Sequence, residues 1–350
     1  MKKISASIFI SVILLQFSSG FAITEAEKNS LIAKAAEYHL AGRLDESLLC
    51  IQNILSESPL DDEALYYRAF IYLEMNKAQL AISDLDMILS MDKPDYETLH
   101  LHGCAQYDLG KYEDAIKDET EAINLNPQAH ECYDMRASAY RAMGQHEAAI
   151  KDYTASIYYG KIRNADLCKN YTNRALIYLE LGEYESVVDD CTEAQKYNPF
   201  YIALYLARAE AYTKLGKYED ALVDTEYIIR VAPKVSDGFH ARGVVYMSMG
   251  KYKSAVSDFN TAIENEPLNS SLYALRGVSY MNLNKNKRAV KDLSKAINLS
   301  PDNAEWYKFR AAIYIKEKQK QNAIKDLEKS LSLNPDDEQA LRYREMAEDM

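Results

Sequence analysis

Small, aromatic and apolar residues recur along this chain with a period of 34 residues. Prolines mark one column of the register, and the four intervals between Pro199 and Pro335 are each 34 residues long. The register gives nine repeats, with four additional residues, 164–167, before the fifth. The repeats begin at Lys28, Asp62, Tyr96, His130, Cys168, Ile202, Ser236, Ser270 and Ala304.

Within each repeat the pattern predicts two helices joined by a tight turn. Position 8 is Ala or Gly throughout, and position 20 is Ala except for Ser47 and Val187. Small residues there let two helix backbones approach closely, and a tyrosine, usual at position 11, fills the remaining space. Glycine at position 15 supplies the positive φ of the turn. These glycines are Gly42, Gly110, Gly144, Gly182, Gly216 and Gly250.

The columns resemble the tetratricopeptide repeat signature, W-x2-L-G-x2-Y, A-x3-F and P, with Tyr or Phe usually in place of Trp. The sixth repeat matches it at Tyr205, Ala209, Tyr212, Leu215, Gly216, Ala221 and Pro233. The resemblance implies an all-α fold, a right-handed α-solenoid of nine hairpins that cover one another's apolar faces. The implied segments are repeats 1–4 at 23–163, an insertion of about one helical turn at 164–167, repeats 5–9 at 168–337 and a capping helix at 338–350.

Two columns depart from the family pattern or add to it. Position 7, leucine in the family, is arginine in seven repeats, and position 23 is aspartate in eight. Both positions lie eight residues from the turn, so an antiparallel hairpin brings them to about the same level. We predict bidentate ion pairs that fix the register of each hairpin. A row of arginines that binds an anionic ligand would instead need the aspartates to be absent.

Residues 1–22 have the pattern of a secretory signal. Lys2 and Lys3 precede a mostly apolar stretch at 8–17, and Ala22 offers a small residue at a cleavage site. We therefore expect an exported protein, periplasmic or secreted, with the lumen of a secretory pathway as the alternative location. An uncleaved anchor is the alternative to cleavage. Nothing later approaches the ~20 apolar residues of a helical span, so no stable membrane span is expected.

The net charge of −12 indicates which class of ligand to expect. Because no basic stripe is present to neutralise phosphates, nucleic acid is not expected as a ligand. The surplus of carboxylates favours a basic or apolar protein or peptide.

The resemblance implies that such a ligand binds the concave surface, at positions 2, 5, 9, 12 and 13 of each first helix. In repeats two to four these columns form what we call the acidic groove, which has aromatic walls. Its residues are Glu63, Tyr66, Phe70, Glu74, Glu97, His100, Tyr107, Asp108, Glu131 and Asp134. In repeats six to nine they form what we call the apolar strip, which neighbouring repeats could instead cover. Its residues are Leu206, Val244, Met247, Val278, Met281 and Ile315, with His240 at the edge.

No motif predicts catalysis, a cofactor or a metal site. His100 and His102 are two residues apart on a helix and so point to different faces. The five cysteines lack CxxC spacing, and Cys191 occupies a core column, which predicts a buried thiol. One disulfide, between Cys132 and Cys168, remains an alternative to five free thiols.

The pattern thus favours a non-catalytic scaffold that holds a peptide or a partner protein. One alternative is an accessory subunit that positions an enzyme or an export machine. Another is a luminal co-chaperone that binds unfolded clients.

Overall fold

The computed structural model describes residues 23–91, 95–163 and 165–350. The predicted signal segment, 1–22, and Asn164 of the predicted insertion lie outside these residues. The described residues form nineteen α-helices and no strand. The helices are α1 (Glu25–Leu40), α2 (Leu44–Glu57), α3 (Asp62–Glu74), α4 (Ala78–Met91), α5 (Tyr96–Asp108), α6 (Tyr112–Leu125), α7 (His130–Ala142), α8 (His146–Ile162), α9 (Cys168–Leu181), α10 (Tyr184–Tyr197), α11 (Ile202–Lys214), α12 (Tyr218–Val231), α13 (Ser236–Ser248), α14 (Tyr252–Asn265), α15 (Ser270–Asn282), α16 (Asn286–Leu299), α17 (Ala304–Lys316), α18 (Lys320–Leu333) and α19 (Glu338–Glu348).

The helices group into two compact bodies, an N-terminal body at 1–165 and a C-terminal body at 166–350. Within each body every helix packs against the helices before and after it. In the N-terminal body α3 also touches α5, and α5 touches α7; the odd-numbered helices of the C-terminal body touch in the same way. Each body is therefore a solenoid of stacked hairpins, and the prediction of an all-α solenoid is confirmed.

Close helix contact within each hairpin depends on the small residues at positions 8 and 20. The alanines at both positions are almost fully buried. A Cβ on Gly243 would lie 2.6 Å from Cε1 of Phe259, so no larger residue fits there. Ser47 is buried because its hydroxyl donates to the carbonyl of Ala35 at 2.8 Å. The predicted packing role of both columns is confirmed.

Position 4, which is tryptophan in the family signature, is tyrosine in several repeats, and the hydroxyl of the tyrosine makes a hydrogen bond. The hydroxyl of Tyr205 donates to the carbonyl of Pro199, in the preceding repeat, at 2.7 Å. Tyr133, Tyr273 and Tyr307 make the same bond to the proline six residues earlier. A tryptophan indole could not place a hydroxyl there, so the tyrosine adds a polar link between consecutive repeats.

The turn between paired helices uses a positive φ in every repeat. The six predicted glycines have φ between 71° and 78°. Position 15 of repeats two, eight and nine is not glycine, yet Asn76, Asn284 and Lys318 adopt φ of 56°, 56° and 57°. Asparagine tolerates this region because its short side chain bonds locally, whereas lysine has no such compensation.

Substitutions at this turn should change stability in opposite directions. Lys318→Gly is expected to raise the free energy of unfolding by about 0.5–1 kcal/mol, because it removes the Cβ strain of a left-handed residue. Gly250→Ala should lower it by about 1 kcal/mol through strain alone, since no atom lies within 4 Å of the added Cβ. Urea denaturation of both variants tests this, and shifts of the same sign would contradict it.

The predicted arginine–aspartate pairs are present in all seven repeats that carry both residues. In each pair Nε and Nη2 of the arginine donate to the two carboxylate oxygens at 2.6–2.9 Å. The pairs are Arg68–Asp84, Arg136–Asp152, Arg174–Asp190, Arg208–Asp224, Arg242–Asp258, Arg276–Asp292 and Arg310–Asp326. In the third repeat Nδ1 of His102 lies 2.7 Å from Asp118 instead.

The third nitrogen of several of these arginines makes a contact that the sequence did not indicate. Nη1 of Arg136 donates to Thr120 of the preceding repeat at 3.0 Å, and Nη1 of Arg310 donates to Ser294 at 2.8 Å. Arg208 and Arg276 bond in the same way to Thr192 and Asn260. The arginine therefore joins its own two helices and also ties the hairpin to its predecessor.

Removing one partner of a buried pair should be costly. Arg208 is a buried residue, only 8% exposed, and Asp224→Ala leaves its guanidinium without the carboxylate. We expect a loss of about 3 kcal/mol or more in the free energy of unfolding. The exposed pair Arg342–Glu338 provides the control, and Glu338→Ala should have almost no effect. Equal effects of the two substitutions in urea denaturation would show that the buried pair is dispensable.

Two details concern the ends of the bodies. The last helix of the N-terminal body, α8, runs on to Ile162 and has 17 residues, whereas the other second helices have 14, so the fourth repeat is longer within its second helix. In the capping helix α19, Ala340 and Ala347 are buried against the ninth repeat. Met346, on the same helix, is 53% exposed, so the alanines rather than this methionine cover the ninth repeat.

All five cysteines are free thiols in this structure, so the alternative of a Cys132–Cys168 disulfide is not realised. Cys191 is fully buried, as predicted from its column, and burial raises the pKa of its thiol to about 12. Among the described helices, none combines the length and apolar character needed to cross a bilayer.

Candidate ligand-binding surface

The first helices of the hairpins form the inner layer of each body. They touch one another directly, while no pair of successive second helices within the described residues makes comparable contact. In a curved stack of two-layered hairpins, the layer whose members lie closer together is on the inside. The predicted ligand columns therefore belong to the inner layer.

The carboxylates of the acidic groove lie on three successive first helices of the N-terminal body. Each of these helices has a glutamate as its second residue, namely Glu63, Glu97 and Glu131. The side chains of Glu63 and Glu97 are exposed, while that of Glu131 is half-buried. Glu63 forms an ion pair with Lys28 at 3.0 Å, and Glu131 lies 3.6 Å from Nε2 of His130. At a helix N-terminus a carboxylate also stabilises the helix through its dipole. These residues thus have a structural role besides any contact with a ligand.

The aromatic walls of the acidic groove are half-buried. Phe70 packs against His39, with ring centroids 5.3 Å apart, and Tyr107 packs against Tyr112 at the same distance. Tyr66 packs beside Phe70 on the core of the second repeat. The remaining groove acids differ in exposure: Glu74 and Asp108 are exposed, and Asp134 is half-buried.

His100 does not stand free on the groove wall. Its Nδ1 lies 2.9 and 3.0 Å from the two carboxylate oxygens of Glu119, and its Nε2 lies 3.8 Å from the thiol of Cys104. Cys132, on α7, interacts with both His100 and Glu119. The prediction that His100 and His102 face different partners is confirmed, since His102 contacts Asp118.

Burial and hydrogen bonding act together on the ionisation of this cluster. Burial raises the pKa of Glu119 to about 7, although the hydrogen bond and charge of His100 act in the opposite direction. For His100, burial disfavours the charged ring, but hydrogen bonds to Cys104, Cys132 and Glu119 outweigh it and raise the pKa. Burial also raises the pKa of the Cys132 thiol to about 11.

Sequence reasoning overlooked this cluster. His100 and Cys104 are four residues apart on α5 and so share one face, a spacing that suits two ligands of one metal ion. We considered the pair His100 and His102 as metal ligands, but not the pair His100 and Cys104. Glu119 carried a second signal, because it occupies position 24, where the repeat otherwise has uncharged residues.

The apolar strip in the C-terminal body is partly covered. All six residues of the strip are half-buried: Leu206, Val244, Met247, Val278, Met281 and Ile315. Val244 and Met247 pack against the core around Phe259, and Ile315 packs against the core around Leu327. His240, at the edge, is also half-buried, and burial lowers its pKa, which favours the neutral ring. The strip therefore presents one side of each side chain rather than a fully open surface.

Two strongly exposed apolar side chains lie outside both predicted surfaces. Leu268 and Phe200 are 77% and 75% exposed, in the turns that follow Pro267 and Pro199. They stand in loops between repeats, at a column that the family signature does not define.

The sequence of this chain matches a known protein family. The sequence profile described as the ETO1 C-terminal domain matches residues 47–349. No curated protein matches the sequence.

Several solved structures are similar in fold. A chain of the APC/C hetero-tetramer Cut9-Hcn1 is 18% identical, with a TM-score of 0.48, over 99% of this chain and 60% of that chain. A tetratricopeptide repeat protein from Parabacteroides merdae is 21% identical, with a TM-score of 0.45, over 82% and 98%. The thermophilic tetratricopeptide repeat protein TTC0263 from Thermus thermophilus is 22% identical, with a TM-score of 0.46, over 51% and 98%. The present chain thus spans 60% of the length of the first of these.

Proposed function

Because this chain belongs to the ETO1 C-terminal domain family and is built of tetratricopeptide repeats, we propose that it is a non-catalytic scaffold for a basic segment of a partner protein. Proteins of this fold generally mediate contacts between proteins, and no enzymatic relative is apparent. The proposed site is the acidic groove of the N-terminal body.

One observation carries the proposal: carboxylates recur at the same place on three successive first helices. Glu63, Glu97 and Glu131 follow one another at intervals of 34 residues along the inner layer, beside half-buried aromatic side chains. An extended chain with spaced lysines or arginines can pair with such a row, while its apolar side chains contact Tyr66 and Phe70. The groove acids thereby select charge, and the rings add apolar contact.

Reversing these charges should abolish the preference for basic ligands. The triple variant Glu63→Lys, Glu97→Lys and Glu131→Lys is expected to bind a fluorescent peptide of alternating lysine and isoleucine at least about tenfold more weakly than the parent protein. Raising the salt concentration should weaken the parent interaction, because exposed charges are screened. Fluorescence anisotropy measures both effects.

A matched control distinguishes the effect of the groove itself from the general effect of reversing a charge at a helix N-terminus. Asp45, Glu113 and Glu147 are each the second residue of a second helix. Their triple reversal to lysine changes the net charge equally and perturbs helix N-termini in the same way. It should leave most of the peptide binding intact, and an equal loss in both triple variants would refute the assignment of the groove.

We also propose that the protein acts after export, to the periplasm or outside the cell, because residues 1–22 have the pattern of a cleavable signal. Mass spectrometry of the exported protein should find Ile23 at the N-terminus. Ala22→Arg should block this processing, because the peptidase requires a small residue before the cut. An unprocessed parent protein in the same cells would contradict cleavage.

A further inference from the structure

The core of the third repeat contains a carboxylate where the other repeats have uncharged residues. Glu119 stands at position 24 and is fully buried. The equivalent residues are Ile51, Leu85, Tyr153, Cys191, Thr225, Phe259, Leu293 and Leu327. A buried carboxylate is costly unless it is paired or coordinates a metal, so simple packing does not account for Glu119.

The surrounding backbone leaves room for that carboxylate. Gly103, at position 8 of the same repeat, faces it, and a Cβ there would lie 2.7 Å from Oε1 of Glu119. Most other repeats have alanine at this position. The absence of a side chain at Gly103 thus makes room for the carboxylate of Glu119, and both residues differ from those usual at their positions in the repeat.

Three different donor types converge at this point. One ligand atom each from His100, Cys104 and Glu119 lies within 4.8 Å of the other two. In a tetrahedral zinc site, bond lengths of about 2.0–2.3 Å place ligand atoms roughly 3.3–3.6 Å apart. In this structure Glu119 lies 2.9 Å from Nδ1, whereas Cys104 lies 3.8 Å from Nε2 on the other side of the ring. An ion therefore requires the imidazole or the thiol to rotate, so that the carboxylate, the thiolate and one ring nitrogen, which already lie within 4.8 Å of one another, face a common centre.

We infer that one imidazole nitrogen of His100, the thiolate of Cys104 and the carboxylate of Glu119 form a binding site for a zinc-class divalent cation. Thiolate and imidazole together select zinc and similar ions over magnesium and calcium, which prefer oxygen ligands. Binding would release the thiol proton of Cys104. It would also release the additional proton that is held between His100 and Glu119 when the imidazole is protonated. A fourth position remains for water or a ligand group.

The site is open to the groove on one side. The side chain of His100 is 23% exposed, and Cys104 is half-buried, whereas Glu119 has no exposure. An ion can thus enter from the inner layer and be held against the core. This inference does not depend on peptide binding, because the cation alone is the ligand.

Metal titration of the purified protein, reduced and freed of metal with a chelator, tests the inference. We expect one Zn²⁺ per chain and a rise in melting temperature when Zn²⁺ is added, because the ion binds the folded state. Co²⁺ as a probe should give a thiolate-to-cobalt charge-transfer band. Cys104→Ala should remove that band, and Glu119→Gln should weaken Zn²⁺ binding at least about tenfold.

Two further variants separate loss of metal binding from loss of fold. Glu119→Leu installs the residue found at this position in three other repeats, so the helical circular dichroism should persist while metal binding is lost. Cys50→Ala removes a buried thiol of the first repeat, outside the cluster, and should leave the cobalt band unchanged. The absence of stoichiometric binding to the parent protein, or binding that survives Cys104→Ala, would overturn the inference.

Discussion

A guanidinium group at position 7 can be buried only if its nitrogens find acceptors, and the stacking of hairpins meets that demand. Arg208 reaches Asp224 on its own hairpin and Thr192 and Gln195 on the preceding one. Removing such a charge from water costs several kcal/mol unless it is fully paired. The register of each hairpin and its docking on the neighbour are thus specified by the same side chain.

The close packing of the array follows from that register. Because paired helices are held level, position 8 of one meets the second helix where a small residue is required, as the contact of Gly243 with Phe259 shows. A shift of either helix along its axis would separate the ion pair and bring larger side chains against the backbone. Polar pairing supplies specificity here, while the buried alanines and aliphatic residues supply most of the apolar burial.

The sequence predicted features that repeat and missed those that depend on one neighbourhood. Column spacing was sufficient for the helices, the glycine turns and the arginine–aspartate pairs, since each recurs with the same geometry. It gave no warning that Lys318 adopts a left-handed conformation, because the turn is imposed by both helices rather than by the residue. It also assigned Met247 to a first helix but could not show how far the core around Phe259 covers this side chain.

The third repeat shows how a departure from the pattern alters the surface that a ligand meets. His102 replaces the arginine, Glu119 enters the core, and His100 turns from the groove wall toward that carboxylate. Acidic residues in this part of the chain therefore have unequal roles, since Glu119 is committed to the interior while Glu97 stays at the surface. A divalent cation bound at His100, Cys104 and Glu119 would bring two positive charges and displace the thiol proton of Cys104 together with the proton that His100 and Glu119 share. The net charge beside the groove would therefore change little, so peptide binding and metal binding are expected to be independent.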